Sequence, residues 1–321
     1  MKKRKGATAP ASAPHGLRMR DARPGDRRAV LAFTAHTWGN YGDFVWRVWD
    51  KWIAQKSGRL IVAELDGVPV GLARIRDFGG GEVWLEGLRV DPAYRGCGIA
   101  RAINQEVVRT LARMRPRAVR YCTGRSNWAS RHIGGRFGFE IAARLRHYWA
   151  KARRGKVRGE FAGARDADAV FDFVGASRYL KLTAGLIAEG WIFREFNRKI
   201  LDNYIARKRV IMIRGKDGID GVAIYPTEEA DGSITLGFVD GTPTAVRALA
   251  RNCRHLAALR GDEDCSIEVP SSRYPRLIES AGYKRHGGST GMVVMQYADP
   301  EGLARRQGGP ARTKRNNARS R

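Results

Sequence analysis

Leu88-Arg89-Val90-Asp91-Pro92-Ala93-Tyr94-Arg95-Gly96-Cys97-Gly98-Ile99-Ala100-Arg101 is the stretch that decides the fold. An apolar strand, Glu82-Val83-Trp84-Leu85-Glu86-Gly87-Leu88-Arg89-Val90, runs through a glycine turn into a helical pattern. Its apolar residues are Ile99, Ala102, Ile103, Val107, Leu111 and Met114, and the helix is expected from about Gly98 to Met114. The first N–H groups of such a helix have no partner within it, and the helix dipole favours an anion beside them. Gly96 and Gly98 carry no Cβ, so a phosphate can approach the main chain, and Arg95 adds a charged donor. The residues therefore suit a diphosphate site; they also suit a plain tight turn, which glycine serves equally well. No Lys-Ser/Thr follows, which excludes a P-loop, and Arg101 breaks a G-x-G-x-x-G pattern.

Outward from this turn the chain reads as two similar halves. Before it lie a strand at Arg59–Glu64, an Asp66-Gly67 turn and a strand at Val68–Ile75, the pattern of a hairpin. After it come a strand near Ala118–Cys122, a helix near Ala129–Arg136 and a closing strand near Glu140–Trp149. The order recurs with strands at Arg209–Ile213 and Gly221–Tyr225 around Asp217-Gly218, and a third strand at Ser233–Val239. A helix opened by Thr242-Pro243 follows, then a strand at Cys265–Val269, a helix at Tyr274–Ala281 and a closing strand at Gly291–Tyr297. The expectation is an α+β (mixed α/β) chain of two tandem units, each a mostly antiparallel mixed sheet flanked by helices. The boundaries are 1–16 (basic tail), 17–153, 154–298 and 299–321 (basic tail).

The chain has 321 residues and a net charge of +27. Residues 1–20 hold six basic residues and no acid; residues 301–321 hold seven and one. Such tails are expected to be disordered and to be either solvated or weakly attracted to nucleic acid or ribosome. No apolar run reaches membrane-spanning length, and Met1-Lys2-Lys3-Arg4-Lys5 is not followed by a secretory apolar core. The expectation is a cytoplasmic protein, monomer or dimer, off the membrane. Cys97, Cys122, Cys253 and Cys265 form no CxxC pair and lack histidines at ligand spacing, so neither a metal nor a disulfide framework is expected.

Arg95-Gly96-Cys97-Gly98-Ile99-Ala100 resembles the R/Q-x-x-G-x-G/A signature of the GNAT N-acyltransferases. The preceding Leu88–Tyr94, the opening Arg20-Asp21-Ala22-Arg23-Pro24-Gly25-Asp26, Asn127-Trp128-Ala129-Ser130 and Gly138-Phe139 also resemble that family over about residues 17–152. Gly42-Asp43-Phe44 with Trp46 and Trp49, plus Glu86–Val90, is similar to the vertebrate histidine N-acetyltransferase-like subgroup. The resemblance implies acetyl-CoA as co-substrate. The N–H groups of Gly96, Cys97, Gly98, Ile99, Ala100 and Arg101, with Arg95, would hold its diphosphate. Leu88, Arg89 and Val90 would pair with the pantetheine arm, and Asn127 would contact the same arm. An N–H near Leu88 would polarise the acyl carbonyl.

The implied reaction moves an acetyl or short acyl group from acyl-CoA to a primary amine of a small molecule or peptide. Glu86 is the candidate base. It shares strand parity with Leu88 and Val90 and is expected to face the same cleft; the plainer role is an ion pair with one of the many arginines. The tyrosine that many members place seven residues after the Asn is Gly134 here, which leaves the acid unassigned; His132 and Tyr148 are the available substitutes. Trp38 and Tyr41, in a Gly-Asn loop, are candidate acceptor contacts, whereas Trp46, Trp49 and Trp52 at helical spacing read as core. At the equivalent turn the second half reads Gly237–Thr244 with Asp240 and Pro243, so it is expected to bind no CoA. The alternative is a non-catalytic CoA-sensing or polyanion-binding protein on the same scaffold.

Overall fold

The computed structural model describes residues 13–37, 42–226, 234–285, 291–300 and 302. The first half runs β1 (Leu17–Asp21), α1 (Arg27–Thr34), α2 (Val45–Ala54), β2 (Arg59–Leu65), β3 (Val68–Asp77) and β4 (Glu82–Val90). It continues with α3 (Ile99–Met114), β5 (Ala118–Gly124), α4 (Trp128–Arg136) and β6 (Phe139–Lys151). The second half begins with β7 (Glu160–Phe161), α5 (Ala167–Ala176), α6 (Arg178–Leu182), β8 (Leu186–Glu189), β9 (Ile192–Glu195) and α7 (Arg198–Ala206). Then follow β10 (Val210–Gly215), β11 (Gly218–Ile224), β12 (Ile234–Leu236), β13 (Phe238–Gly241) and α8 (Pro243–Arg260). The chain closes with β14 (Asp264–Pro270), α9 (Tyr274–Ser280), β15 (Lys284–Arg285) and β16 (Met292–Tyr297).

Local chemistry explains the repeat. Asp66 and Gly67 both take positive φ, the geometry of a tight two-residue hairpin turn between β2 and β3. In the first half Asp26 accepts from the N–H of Arg23 at 2.7 Å and closes a one-turn 3-10 helix ahead of α1. In the second, Asp166 accepts from Gly163 N–H at 2.8 Å and does the same ahead of α5. Thr242 caps α8 by accepting from Ala245 N–H at 3.2 Å, with Pro243 in the first turn.

The halves do not pair their strands separately. The large sheet runs β1-β2-β3-β4-β5-β16-β6-β14-β12, with β15 also on β6. The closing strand of the second half thus lies between β5 and β6: Val294 is opposite Cys122 on one side and Ala143 on the other. In exchange the far end of the thirteen-residue β6 lies between β14 and β15. Among the described residues, parallel pairing is confined to β4–β5 and β12–β14, and the other pairs are antiparallel. This mixed, mostly antiparallel sheet with flanking helices is the expected α+β architecture, with the strands of the two halves interleaved in one sheet.

Three cores cover the first half's part of the sheet. On one face α3 packs through Ile99, Ile103, Val107 and Leu111, together with Val293, Met295 and Tyr297 from β16. On the other, α1 and α2 pack Val30, Trp49 and Trp52 over Leu60, Val62 and Leu72. Trp46 departs from the expected core role: it is 57 % exposed, with the Arg47 guanidinium 5.0 Å from its ring. Farther along this face the β8–β9 hairpin of the second half covers Trp84, Leu145 and Met292 with Leu186, Ala188 and Phe193. Among the described residues no helix is long and apolar enough to cross a membrane.

Candidate active site

Strand β4 is the spine of the site. It pairs with β5 only over Glu82–Trp84 and with β3 as far as Val90, so beyond Trp84 an edge of β4 opens towards β5. Leu72 is opposite Arg89 and Arg74 opposite Glu86, which leaves Gly87 and Leu88 facing the single residue Ala73. This is a β-bulge, and it takes backbone polar groups out of the ladder at Leu88. Gly87 adopts φ +69°, and a Cβ there would lie 2.7 Å from Cη2 of Trp52, so conformation and space both require glycine.

The bulge reverses the alternation of side chains along β4. Leu88 and Val90 pack with the α3 core, whereas Glu86 and Arg89 face the α1/α2 side. The parity expected from sequence, with Glu86 on the same face as Leu88, therefore does not hold. Glu86 is ion-paired with Arg74, which is 4 % exposed and whose guanidinium lies 5.1 Å from the Trp52 ring. Arg89 donates from Nε to Asp43 at 2.6 Å and from Nη1 to Leu88 O at 3.0 Å, and lies 5.6 Å from the Phe44 ring.

After β4, Asp91 accepts from Ala93 N–H at 2.9 Å and caps a single 3-10 turn, Pro92–Tyr94, that carries the chain to the glycine loop. Gly96 and Gly98 take φ +82° and +79°, and Gly98 is the N-cap of α3. Among the described residues the N–H groups of residues 96–101 find no intramolecular acceptor. Arg95, Gly96 and Cys97 are exposed, while the Ile99 side chain is buried in the α3 core and offers only its backbone. A row of free donors at a helix N-terminus with two Cβ-less positions fits a diphosphate. Asn127 accepts from Ser130 N–H at 3.2 Å as the N-cap of α4, half-buried next to the end of β5. Trp38 and Tyr41 lie outside the described residues.

The space for a side chain at Gly134 is taken. A Cβ there would overlap the Tyr121 hydroxyl and lie 3.0 Å from its Cζ. Tyr121, on β5 one residue past the last β4 pair, donates to Ser130 O at 3.1 Å, and burial pushes its phenol up to about 12. His132 stacks on the exposed Trp128 at 4.5 Å, and Tyr148 is buried with its hydroxyl donating to Glu279. Neither Tyr121 nor the Arg74–Glu86 pair is marked by spacing in the sequence, because both depend on contacts across strands.

The second half fills its equivalent opening. Past Leu236–Ile267, the last β12–β14 pair, the Tyr179 hydroxyl spans the gap, donating at 2.6 Å to Glu268 O with Gly237 O 3.0 Å away. Its ring packs edge-on against Phe238 and Tyr274, and its N–H donates to Asp240. The β8–β9 hairpin reaches back to the first half: Glu195 N–H donates to Glu82 Oε1 at 2.8 Å, and Arg120 pairs with Glu82 at 3.2 Å.

A splayed β4 with a glycine bulge, followed by a donor-lined loop opening a helix, is an arrangement suited to a diphosphate-bearing ligand laid along the strand edge. Residues 27–139 match the acetyltransferase (GNAT) family, so the first half carries a domain similar to that family. Among solved structures, a GCN5-related N-acetyltransferase from Sphaerobacter thermophilus superposes with TM-score 0.62 at 15 % identity, covering 89 % of this chain and 96 % of that one. Two proteins described as acetyltransferases do likewise. The one from Thermoplasma acidophilum gives TM-score 0.58 at 21 % identity over 87 % of this chain and 98 % of its own. The one from Pyrococcus horikoshii gives 0.53 at 15 % over 91 % and 92 %. These likenesses extend the shared fold across both halves. No curated protein matches the chain in sequence.

Proposed function

We propose that the chain transfers an acetyl or short acyl group from acyl-CoA to a primary amine, with one CoA site per chain, in the first half. The observation that carries this is the set of unpartnered N–H groups at residues 96–101 leading into α3 beside the opened edge of β4. Those donors, with Arg95, would hold the diphosphate. The edge at Leu88–Val90 would receive the pantetheine arm as an added strand, and Asn127 would bound it from β5. Acyl-CoA supplies an acyl thioester open to attack by a neutral amine. The bulge frees main-chain polarity at Leu88, where an N–H donor can meet the acyl oxygen.

Glu86 is the proposed base. It is ion-paired with Arg74, and its face of the sheet, shared with Trp52 and Asp43, is separate from that of the α3 core. An amine approaching from the α1/α2 side meets this carboxylate directly or through one water and loses its proton there. Trp38 and Tyr41, which follow α1 and precede α2 in sequence, are proposed acceptor contacts. The second half, its opening filled by Tyr179, takes no CoA; its hairpin forms a wall of the acceptor side instead.

Titration of acetyl-CoA into wild type and Gly98→Glu tests the site: the variant should bind at least tenfold more weakly, and unchanged affinity would remove the site from this loop. Thiol release across a panel of amines tests the reaction. Glu86→Gln should lower kcat by about 10²–10⁴ while leaving acetyl-CoA affinity unaltered. Turnover at the wild-type rate would exclude Glu86 as base.

A further inference from the structure

A second polar feature lies away from the acyl-CoA site. The link between β6 and β7 runs along α8 and with it encloses a groove of about 780 Å³. One wall carries Arg153, Arg154, Lys156 and Arg158; the other carries Arg247, Arg251 and Arg254. Asp220 is the sole carboxylate residue in the lining. Among the described residues none of the seven cations has an ion-pair partner: Arg251 donates to Ser280 O, and Arg254 to Lys151 O and Ala281 O, all neutral carbonyls.

The groove is fixed by bonds that leave the charges outward. Asn252 is 1 % exposed and clamps the link at Arg158, accepting from its N–H at 2.9 Å and donating to its carbonyl at 2.7 Å. His255 Nδ1 accepts from Gly155 N–H at 2.8 Å, and Arg153 N–H donates to Arg254 O at 3.0 Å. A buried asparagine and a histidine spent on holding a cationic segment against a cationic helix maintain like charges side by side. That arrangement is unfavourable unless an anion neutralises it.

We infer that this groove binds the phosphodiester backbone of a nucleic-acid strand. Its α8 wall, from Thr244 to His255, extends about 17 Å at 1.5 Å per residue, longer than a single phosphate or a carboxylate pair occupies. Six of the seven cations are arginines, whose planar forks match phosphate oxygens in pairs. The lining also includes Ile213, Ala245 and Ala248 but no aromatic platform for bases beyond the His255 ring. Binding is therefore electrostatic and indifferent to sequence.

The test is anisotropy of a labelled 20-nucleotide RNA on the full chain as salt is varied. The parent is a version whose Lys and Arg residues in 1–12 and 303–321 are replaced by Ser. Arg153→Gln/Arg154→Gln/Arg247→Gln in this parent should weaken binding at least tenfold at 0.1 M salt and reduce the log K against log salt slope by about 2–3. Arg154→Glu alone, at an exposed position, should weaken it in the same direction and guards against a triple variant that fails to fold. RNA affinity unaltered by either variant would overturn the inference. So would displacement of RNA by polyglutamate at equal charge concentration, which would make the partner an acidic protein.

Discussion

The hydroxyl of Tyr121 stands in the space that a Cβ on Gly134 would enter. Strand β5 and helix α4 are thus fitted to each other through the absence of a side chain, and the position at which many family members carry a tyrosine is closed here. Gly134→Ala should destabilise the fold by about 1–3 kcal/mol from overpacking, more than the roughly 1 kcal/mol that alanine gains over glycine in a helix. Tyr121→Phe removes the overlapping oxygen and should recover part of the loss. A double-mutant cycle on melting temperature measures the coupling; additive effects would mean that the two positions do not meet.

Tyr179 bridges the two strands that its half would otherwise splay. Tyr179→Phe removes the hydroxyl from Glu268 O, while Gly237 O keeps the Ala188 N–H at 3.1 Å, and a buried group left without its hydrogen bond costs about 1–3 kcal/mol. The variant should melt earlier yet still bind a single acetyl-CoA by calorimetry, since α8 begins with Pro243 and Asp240 stands at the turn. A second equivalent of bound CoA in this variant would show that the phenol alone closes the site.

His147 and Glu268 form a pair across β6 and β14, 2.8 Å apart, with the carboxylate fully buried. Burial alone pulls the imidazole down, but the hydrogen bond and charge of Glu268 outweigh it and leave His147 above its ordinary value. A raised folded value means that the charged imidazole binds better in the native state. Its stabilisation is complete below the unfolded value near 6.5 and is lost as pH rises through the folded value. Melting temperature relative to His147→Gln should therefore fall with rising pH across that window. Parallel curves for the two proteins would remove the pair from the pH dependence.

The features that local chemistry dictates were legible in the sequence. The Asp66-Gly67 turn, the α3 stripe from Ile99 to Met114 and the cap at Thr242-Pro243 each follow from a few consecutive residues, and the structure has them where expected. What escaped depends on pairing between distant segments. Alternation along β4 looked continuous because a bulge at Gly87 is visible only against β3, so the sequence put Glu86 on the wrong face. Trp46 and Trp49 share the helical spacing of a core, and only the packing of α2 decides that Trp49 is buried and Trp46 is not. Nothing near Tyr179 signals a plug, since its partners lie about sixty and ninety residues away.

The exchange of strands between halves makes the first half dependent on the last residues of the fold. Without β16, the β5 edge at Arg120–Gly124 and the near end of β6 lose their partners, and Val293, Met295 and Tyr297 leave the α3 core. An exposed β edge beside an opened core favours association with other chains. A fragment of residues 13–153 should therefore aggregate or remain unfolded, although it contains every residue proposed to hold CoA. Adding residues 291–297 after residue 153 through a flexible linker should restore part of the fold, because the strand meets the same two neighbours. Tyr297→Ala in the full chain should cost about 3–5 kcal/mol, in line with truncation of a fully buried aromatic. Circular dichroism and thermal melting of the three proteins check the argument, and a cooperative melt for the bare 13–153 fragment would show that the first half folds without its borrowed strand.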